Sequence, residues 1–548
     1  IPWTMFLALG DFALDGWVLD LGDGQLPRPR YRLFLLAVFM LGIPMAGLLA
    51  AGGVGFVGKG ERWERLGAWV DGLPRAVWWA GGGLLAVVLP LLVRCFILEG
   101  APLTDDEGSY WFGAQLLLDG HLKVPSHPEP VFYTRFTMVN DGWFYPQYFL
   151  GWPALMALGA AVGAPGLVNP VLCGVGAVCL YFLVAEWFSR REARWATLLY
   201  VASPFVMIGA ATLLSHTSCL TAILACQLAA VHARKPGAPV WQHAAVALAF
   251  SVAFFIRPTT AIALAGPALF VWGKGLFEED VDVVGRLVSF AAPAAAMAGL
   301  FFWVNGAQNG SVWTVAYQAH KQSAVIGGVY TTGGVANFGF SGVSTGPAVV
   351  AATLIRFNFA IWGWPFAFLF AALAIGSRRA RLFWAAAGLF VVVHFFLNDG
   401  GIDSFGPVHY FEWTFPVIVL SAVGIVQLGD WLAWLDEREV LAGWELRLAS
   451  VPAMLVGALI YTSAVTYMPV RLVNLGWIAD LTSMPERASR RANPDDRIVA
   501  FYTHSYETCL PGPDRIKFWP PHNSPDRDGR VVWLNHVTLE RDRRHAAE

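Results

Sequence analysis

The sequence predicts an all-α polytopic membrane protein of about 11–13 transmembrane helices, with amphipathic outer-face helices and a small C-terminal α/β outer-face appendage. Three observations predict it. Charged residues make up 14% of the 548-residue chain, against roughly 25% in a soluble domain. Apolar runs of about 17–25 residues recur along it, and about 20 helical residues cross a bilayer core. The 25 Trp and 38 Phe suit the aromatic belts that seat spans at the membrane interface.

The apolar runs place spans at 33–57, 76–98, 168–188, 195–213, 215–232, 244–257, 258–273, 287–304, 347–375, 381–397, 409–429 and 450–470. Three regions follow: N-terminal membrane segments and an inner loop over 1–75, a membrane domain over 76–470, and a soluble region over 471–548. Lys and Arg in short loops set the orientation. Lys59, Arg62, Arg65 and Arg75 put the loop before 76–98 inside, as do Arg190, Arg191 and Arg194, Arg234 and Lys235, and Arg378, Arg379 and Arg381. This holds only if the short run Phe149–Val162 stays interfacial or re-entrant rather than crossing. The outer face then receives 99–167, the residues near Arg257, loops 305–346 and 398–408, and the tail from 471. In that tail Arg497–Tyr502 and Arg530–Leu534 read as strands. Asp11, Asp15 and Asp20 interrupt the first apolar run, so residues 1–32 stay unassigned, and a chain opening on Ile1 leaves a signal peptide unread.

No basic stripe points to nucleic acid. The six cysteines form neither a metal-type spacing nor a disulfide framework.

Chemistry concentrates in the first outer loop. Thr104, Asp105, Asp106 and Glu107 open a helix directly after a span. Thr104 with Glu107 matches a capping box, and Asp105 and Asp106 suit the helix dipole. Capping needs only one or two such residues, which leaves carboxylates over for function. Downstream, His127-Pro128, then Tyr145-Pro146-Gln147-Tyr148, build a stiff, aromatic, proline-rich loop that either lines a sugar pocket or anchors the loop. Arg257, between two apolar runs, either snorkels or faces an anion, for which its bidentate fork is suited. Tyr317 and His409-Tyr410, the latter close to Glu412, are further outer-face candidates; His216 and His394 read as bonded core histidines, His216 lying nearer the outer face.

In this order along 76–430, Asp106-Glu107 with Tyr110, His127-Pro128, Tyr145-Pro146-Gln147-Tyr148, Arg257-Pro258, Tyr317 and His409-Tyr410 resemble the GT-C membrane glycosyltransferases. Within these the chain is similar to the branch of bacterial protein O-mannosyltransferases and lipid A aminoarabinose transferases, in a largely uncharacterised bacterial subgroup. A weaker echo lies in Asn523–Asp526 and Val531–Trp533. The resemblance implies a polyprenyl-monophosphate-linked sugar as donor and a hydroxyl of a glycan, lipid or protein as acceptor, at the periplasmic face of a bacterial inner membrane. It implies Asp106 as base, with Asp105 in reserve, and an inverting displacement. Glu107, Tyr110, His127, Tyr145, Gln147, Tyr148, Arg257, Tyr317, His409 and Tyr410 would line the substrate site. Two departures reduce the fixed positive charge: Gln147 stands near a lysine of the lipid A transferases, and His409 replaces an Arg common in relatives. No cofactor is evident. A divalent metal would offset the deficit, but the sequence offers no site for one. Two other classes compete, a transporter or lipid flippase and a catalytically idle scaffold subunit.

Overall fold

The computed structural model describes residues 72–322 except 136, 236 and 277–281, then 346–397 except 365 and 366, 402–438 except 404, 451–490, 496–502 and 522–547, with Arg65 and Trp69. The expected span 33–57 and the segment Asn398–Gly401 lie outside these residues.

A π-helical turn leads into α1 (Gly82–Phe96), and a short break precedes α2 (Asp105–Leu118). A three-stranded antiparallel sheet follows, ordered β1-β3-β2, from β1 (Val124–Pro125), β2 (Met138–Asp141) and β3 (Trp143–Pro146). Next come α3 (Gly151–Ala161), α4 (Val168–Trp187), α5 (Arg190–Val201), α6 (Pro204–Ala211), α7 (His216–Ala233), α8 (Trp241–Ile256), α9 (Pro258–Gly275), α10 (Val283–Asn309) and α11 (Ala316–Gln322). Beyond residue 345 lie α12 (Gly346–Trp362), α13 (Phe368–Leu373) and α14 (Arg381–Leu397). The small pair β4 (Ile402–Asp403) and β5 (Gly406–Pro407) leads through a 3-10 turn into α15 (Thr414–Glu437). Then α16 (Val451–Thr462) passes through a π turn into α17 (Met468–Ser489), which runs on past the composition change at 471. The tail contributes β6 (Ile498–Tyr502), β7 (Val531–Asn535) and α18 (Leu539–Ala547). The two expected tail strands pair with each other in parallel, Ile498 opposite Val531 through Tyr502 opposite Asn535.

Among the described residues six helical stretches are long and apolar enough to cross a membrane, or seven if the pair α5–α6 is one bent span. Shorter apolar helices, α3, α8 and parts of α12 and α14, accompany them. The chain is thus an all-α polytopic membrane protein. Leu84, Leu85, Val88 and Leu92 of α1 are 64%, 50%, 38% and 47% exposed, an apolar stripe suited to contact with lipid. Where helices do pack, small residues let them approach: a Cβ on Gly174 of α4 would sit 2.8 Å from the Gly83 carbonyl of α1.

Two expected single spans are divided. The run 195–213 bends by 56° between α5 and α6, because Pro204 disfavours a helical Ser203 before it. The run 347–375 breaks after Trp362, where Gly363 adopts φ +67° and ends α12. The run Phe149–Val162 becomes the 11-residue α3, about 16 Å long and too short to cross. The loops assigned to the inner face also meet one another. Lys235 pairs with Glu186 at 2.7 Å, and Trp187 donates to the Arg379 carbonyl at 2.8 Å.

Candidate active site

The site is built at the opposite end of these helices, around the first turn of α2. Thr104 takes extended backbone (φ −125°, ψ 156°) and forms the capping box with Glu107. Glu107 does more than cap. Its Oε2 accepts from the Leu103 and Thr104 amides at 2.8 and 3.1 Å and its Oε1 from the Leu213 amide at 2.8 Å. Its carboxylate is therefore spent on backbone.

That bond to Leu213 ties down a non-helical break between α6 and α7. Trp152 donates to the Leu213 carbonyl at 2.6 Å, Asn169 to those of Thr212 and Leu214 at 2.8 Å, and Arg94 to that of Ala211 at 3.0 Å. Irregular backbone at the end of a membrane bundle survives only when its polar groups are satisfied in this way. The break places Ser215 and His216 beside α2.

The two aspartates separate by role. Asp105 is 2% exposed; its Oδ2 accepts from the Thr137 hydroxyl at 2.6 Å and amide at 3.2 Å, and its Oδ1 lies 2.8 Å from His522 Nε2 in the tail. Burial raises its pKa, but His522, Thr137 and Arg135 outweigh that and hold it below the usual carboxylate value. Asp106, on the next face of the helix, lies against the bundle. Burial pushes its carboxyl up and Asp105 adds to this, while the Tyr148 hydroxyl donates to it and the charges of His409 and Arg257 pull the other way; the net direction is up.

Around Asp106 the aromatic residues stack in sequence. The Tyr110 ring lies 4.5 Å from that of Tyr148, which meets the edge of Tyr317 at 5.5 Å. The Tyr110 hydroxyl is 3.0 Å from Ser215 Oγ. Gln147 Nε2 donates to the Tyr148 hydroxyl at 3.5 Å. Arg257 ends α8 and precedes α9, with Pro258 at the first helical position. Its side chain, 17% exposed, brings Nε within 3.2 Å of Glu412 Oε1, an ion pair by distance although the N–H is not aligned for a hydrogen bond. Glu412, fully buried, also lies 3.2 Å from His216 Nδ1, and the His216 ring is 6.1 Å from that of His409.

The structure thus brings together Asp106, Tyr110, Gln147, Tyr148, Arg257, Tyr317 and His409. Three further candidates point elsewhere. Tyr145 pairs with Val139 in the hairpin and packs in an apolar cluster with Phe112 and Leu116. His127 lies against Tyr133 at 4.3 Å and His545 at 5.3 Å, in the contact with the tail. The Tyr410 ring packs on Phe390 and His394 in the core. Sequence reasoning left Ser215, Thr137 and His522 out of the site. Ser215 stands between apolar runs, and His522 is 417 residues from its partner, so neither carries a local signal. No group of three or more His, Cys, Asp or Glu able to hold a metal occurs among the described residues.

No family model and no curated protein matches the chain. Among solved structures it is similar to the crystal structure of ArnT from Cupriavidus metallidurans bound to undecaprenyl phosphate, at 14% identity over 78% of this chain and 83% of that one, with a TM-score of 0.47. It is also similar to the archaeal oligosaccharyltransferase AglB from Archaeoglobus fulgidus in complex with an inhibitory peptide and a dolichol-phosphate, at 13% identity over 76% of this chain and 58% of that one, with a TM-score of 0.40.

Proposed function

We propose that this chain is an integral-membrane glycosyltransferase of the GT-C type, moving a sugar from a polyprenyl-monophosphate donor to an acceptor hydroxyl at the periplasmic face of a bacterial inner membrane. One observation carries the reading. Of three consecutive carboxylates, two are consumed by the fold, Asp105 by Thr137 and His522 and Glu107 by backbone amides. Asp106 alone faces the cluster of Tyr148, His409 and Arg257. The order of motifs in the sequence supports the same assignment.

Asp106 takes the proton of the acceptor hydroxyl as its oxygen attacks the anomeric carbon. The bond from that carbon to the phosphate oxygen breaks on the opposite side, so configuration inverts and polyprenyl phosphate leaves. A carboxylate raised above its ordinary pKa is a stronger base, provided it stays ionised at working pH. Arg257 meets the charge developing on the phosphate, and its pairing with Glu412 fixes its position beforehand. Mass spectrometry of lipid-linked sugars and envelope glycans in a deletion strain tests the reading. The expected result is accumulation of one polyprenyl-phosphate sugar and loss of one glycan modification. Unchanged profiles for both would count against it.

A further inference from the structure

At the end of the bundle opposite the candidate site, α8 begins, α9 ends and α10 begins. Along α8 this corner is about 20 Å from Arg257, at 1.5 Å per helical residue. The three helices are tied together there. Ser289 of α10 donates to the Val240 carbonyl at 2.6 Å, and the Trp272 ring of α9 lies 4.5 Å from that of Phe290.

Two buried donors at this corner lack an acceptor. The first is on His243, which is fully buried. The Trp272 indole donates to its Nδ1 at 3.1 Å. An indole N–H is a donor only, so Nδ1 accepts and the neutral ring carries its proton on Nε2. That Nε2–H is buried and meets no partner. The second is Arg286, one turn before Ser289 and Phe290 on α10 and 8% exposed. Its guanidinium has no hydrogen-bond or ion-pair partner among the described residues, and its charge reaches the His243 ring. Asp282, the carboxylate one turn away, is engaged instead, its Oδ1 accepting from the Gly285 amide at 2.9 Å. A buried donor without an acceptor is costly, and a buried cation more so. Two of them within electrostatic reach of each other call for an acceptor bearing negative charge. The same turns show where it comes from. Val240, Trp241, Phe270, Val284 and Val288 are 48%, 64%, 65%, 73% and 60% exposed, a surface suited to acyl chains with Trp241 at the level of the headgroups. Lys274, its Nζ 4.8 Å over the Phe270 ring, adds a cation at the end of α9.

We propose that this corner binds an anionic phospholipid, its phosphate held by the Arg286 guanidinium and the His243 Nε2–H, and its acyl chains lying on the apolar faces of α8 and α10. The guanidinium fork matches two phosphate oxygens, and with no partner to hold it the side chain can shift as the phosphate enters. This binding needs no sugar donor and is independent of the glycosyltransferase reading.

Native mass spectrometry of the detergent-purified full chain tests it, with phosphatidylglycerol, phosphatidylcholine and inorganic phosphate as probes. Phosphatidylglycerol is expected to fill one site at least about tenfold more tightly than phosphatidylcholine, whose fixed positive charge would stand against Arg286; tenfold is about 1.4 kcal/mol. Millimolar inorganic phosphate should leave that lipid bound. Arg286→Gln should weaken the tight site about tenfold, and His243→Phe about threefold, the effect of one modest hydrogen bond. Arg286→Lys, which keeps the charge and loses the fork, should lose part of the affinity and stands in if the glutamine variant fails to fold. Arg190→Gln, which removes an exposed cation from another turn at the same end, should bind like the parent. Equal affinity for the two lipids, or parental binding by the Arg286 variants, would overturn the proposal. An equal loss in Arg190→Gln would also overturn it, by assigning binding to general positive charge, and displacement by inorganic phosphate would do so by assigning the site to a free anion.

Discussion

Neighbouring substitutions at Asp105 and Asp106 should give opposite signatures. Asp105 accepts from three donors across both oxygens, the Thr137 amide, the Thr137 hydroxyl and the His522 imidazole. Asparagine keeps one acceptor oxygen and replaces the other with an amide, so at least one of these donors loses its partner. A hydrogen bond to a charged group is worth about 1.5–3 kcal/mol. At 1.36 kcal/mol per decade, that makes detachment of the tail roughly 10- to 150-fold more frequent. Hydrogen exchange in Val531–Asn535 and Leu539–Ala547 reads this directly. Asp106→Asn, by contrast, keeps an oxygen for the Tyr148 hydroxyl and removes a buried charge. Tail exchange should stay as in the parent, while transfer in reconstituted vesicles falls by the factor of about 100 to 10,000 associated with a general base. The decisive comparison is between the two proteins. If Asp105→Asn is the inactive one while its tail stays protected, or if Asp106→Asn keeps full activity, the assignment of roles is wrong.

Acid should affect the two carboxyls in opposite ways. Asp105, held low, contributes stability that is present above its unfolded pKa near 3.8 and lost as pH falls through its lowered folded value. Asp106, held high, contributes stability at low pH that is lost as pH rises through its raised value, and the acid limb of kcat/KM should lie above 3.8; a limb at or below that value speaks against Asp106 as base. Glu412→Gln leaves Arg257 without its counter-charge and His216 without its carboxylate partner. Breaking a buried pair costs about 3–5 kcal/mol, with the retained acceptor favouring the lower end, so the melting temperature should fall markedly. A double-mutant cycle with Arg257→Ala giving coupling under about 0.5 kcal/mol would deny the pair. Gly151→Ala puts a Cβ 2.6 Å from the Phe255 carbonyl carbon and 2.8 Å from the Ile256 amide, just before Arg257. Backbone cannot rotate away, so overpacking should cost about 1–3 kcal/mol and raise the donor KM; a variant like the parent in both would show that α3 does not hold Arg257.

How far the sequence reveals this site depends on the range of the signal. Spans are legible because about 20 consecutive residues share one requirement, an apolar surface against lipid. The capping box is legible because Thr104 and Glu107 meet within one helical turn. Breaks are less so: Pro204 and Gly363 are visible letters, yet a hydropathy run passes smoothly over both. The least legible facts are those that divide three adjacent carboxylates among three tasks. From the residues alone, Glu107 is marked by its capping spacing to Thr104, but Asp105 and Asp106 differ only in order. Their tasks are set by Leu213, Thr137 and His522, groups 106, 32 and 417 residues away. Leu213 engages Glu107, and Thr137 and His522 engage Asp105, so the proposed role of Asp106 as base rests on where the other two are used. The tail therefore belongs to the logic of the site through its bond to Asp105. By occupying Asp105 through His522, it leaves Asp106 as the one member of the three turned toward Tyr148 and Arg257.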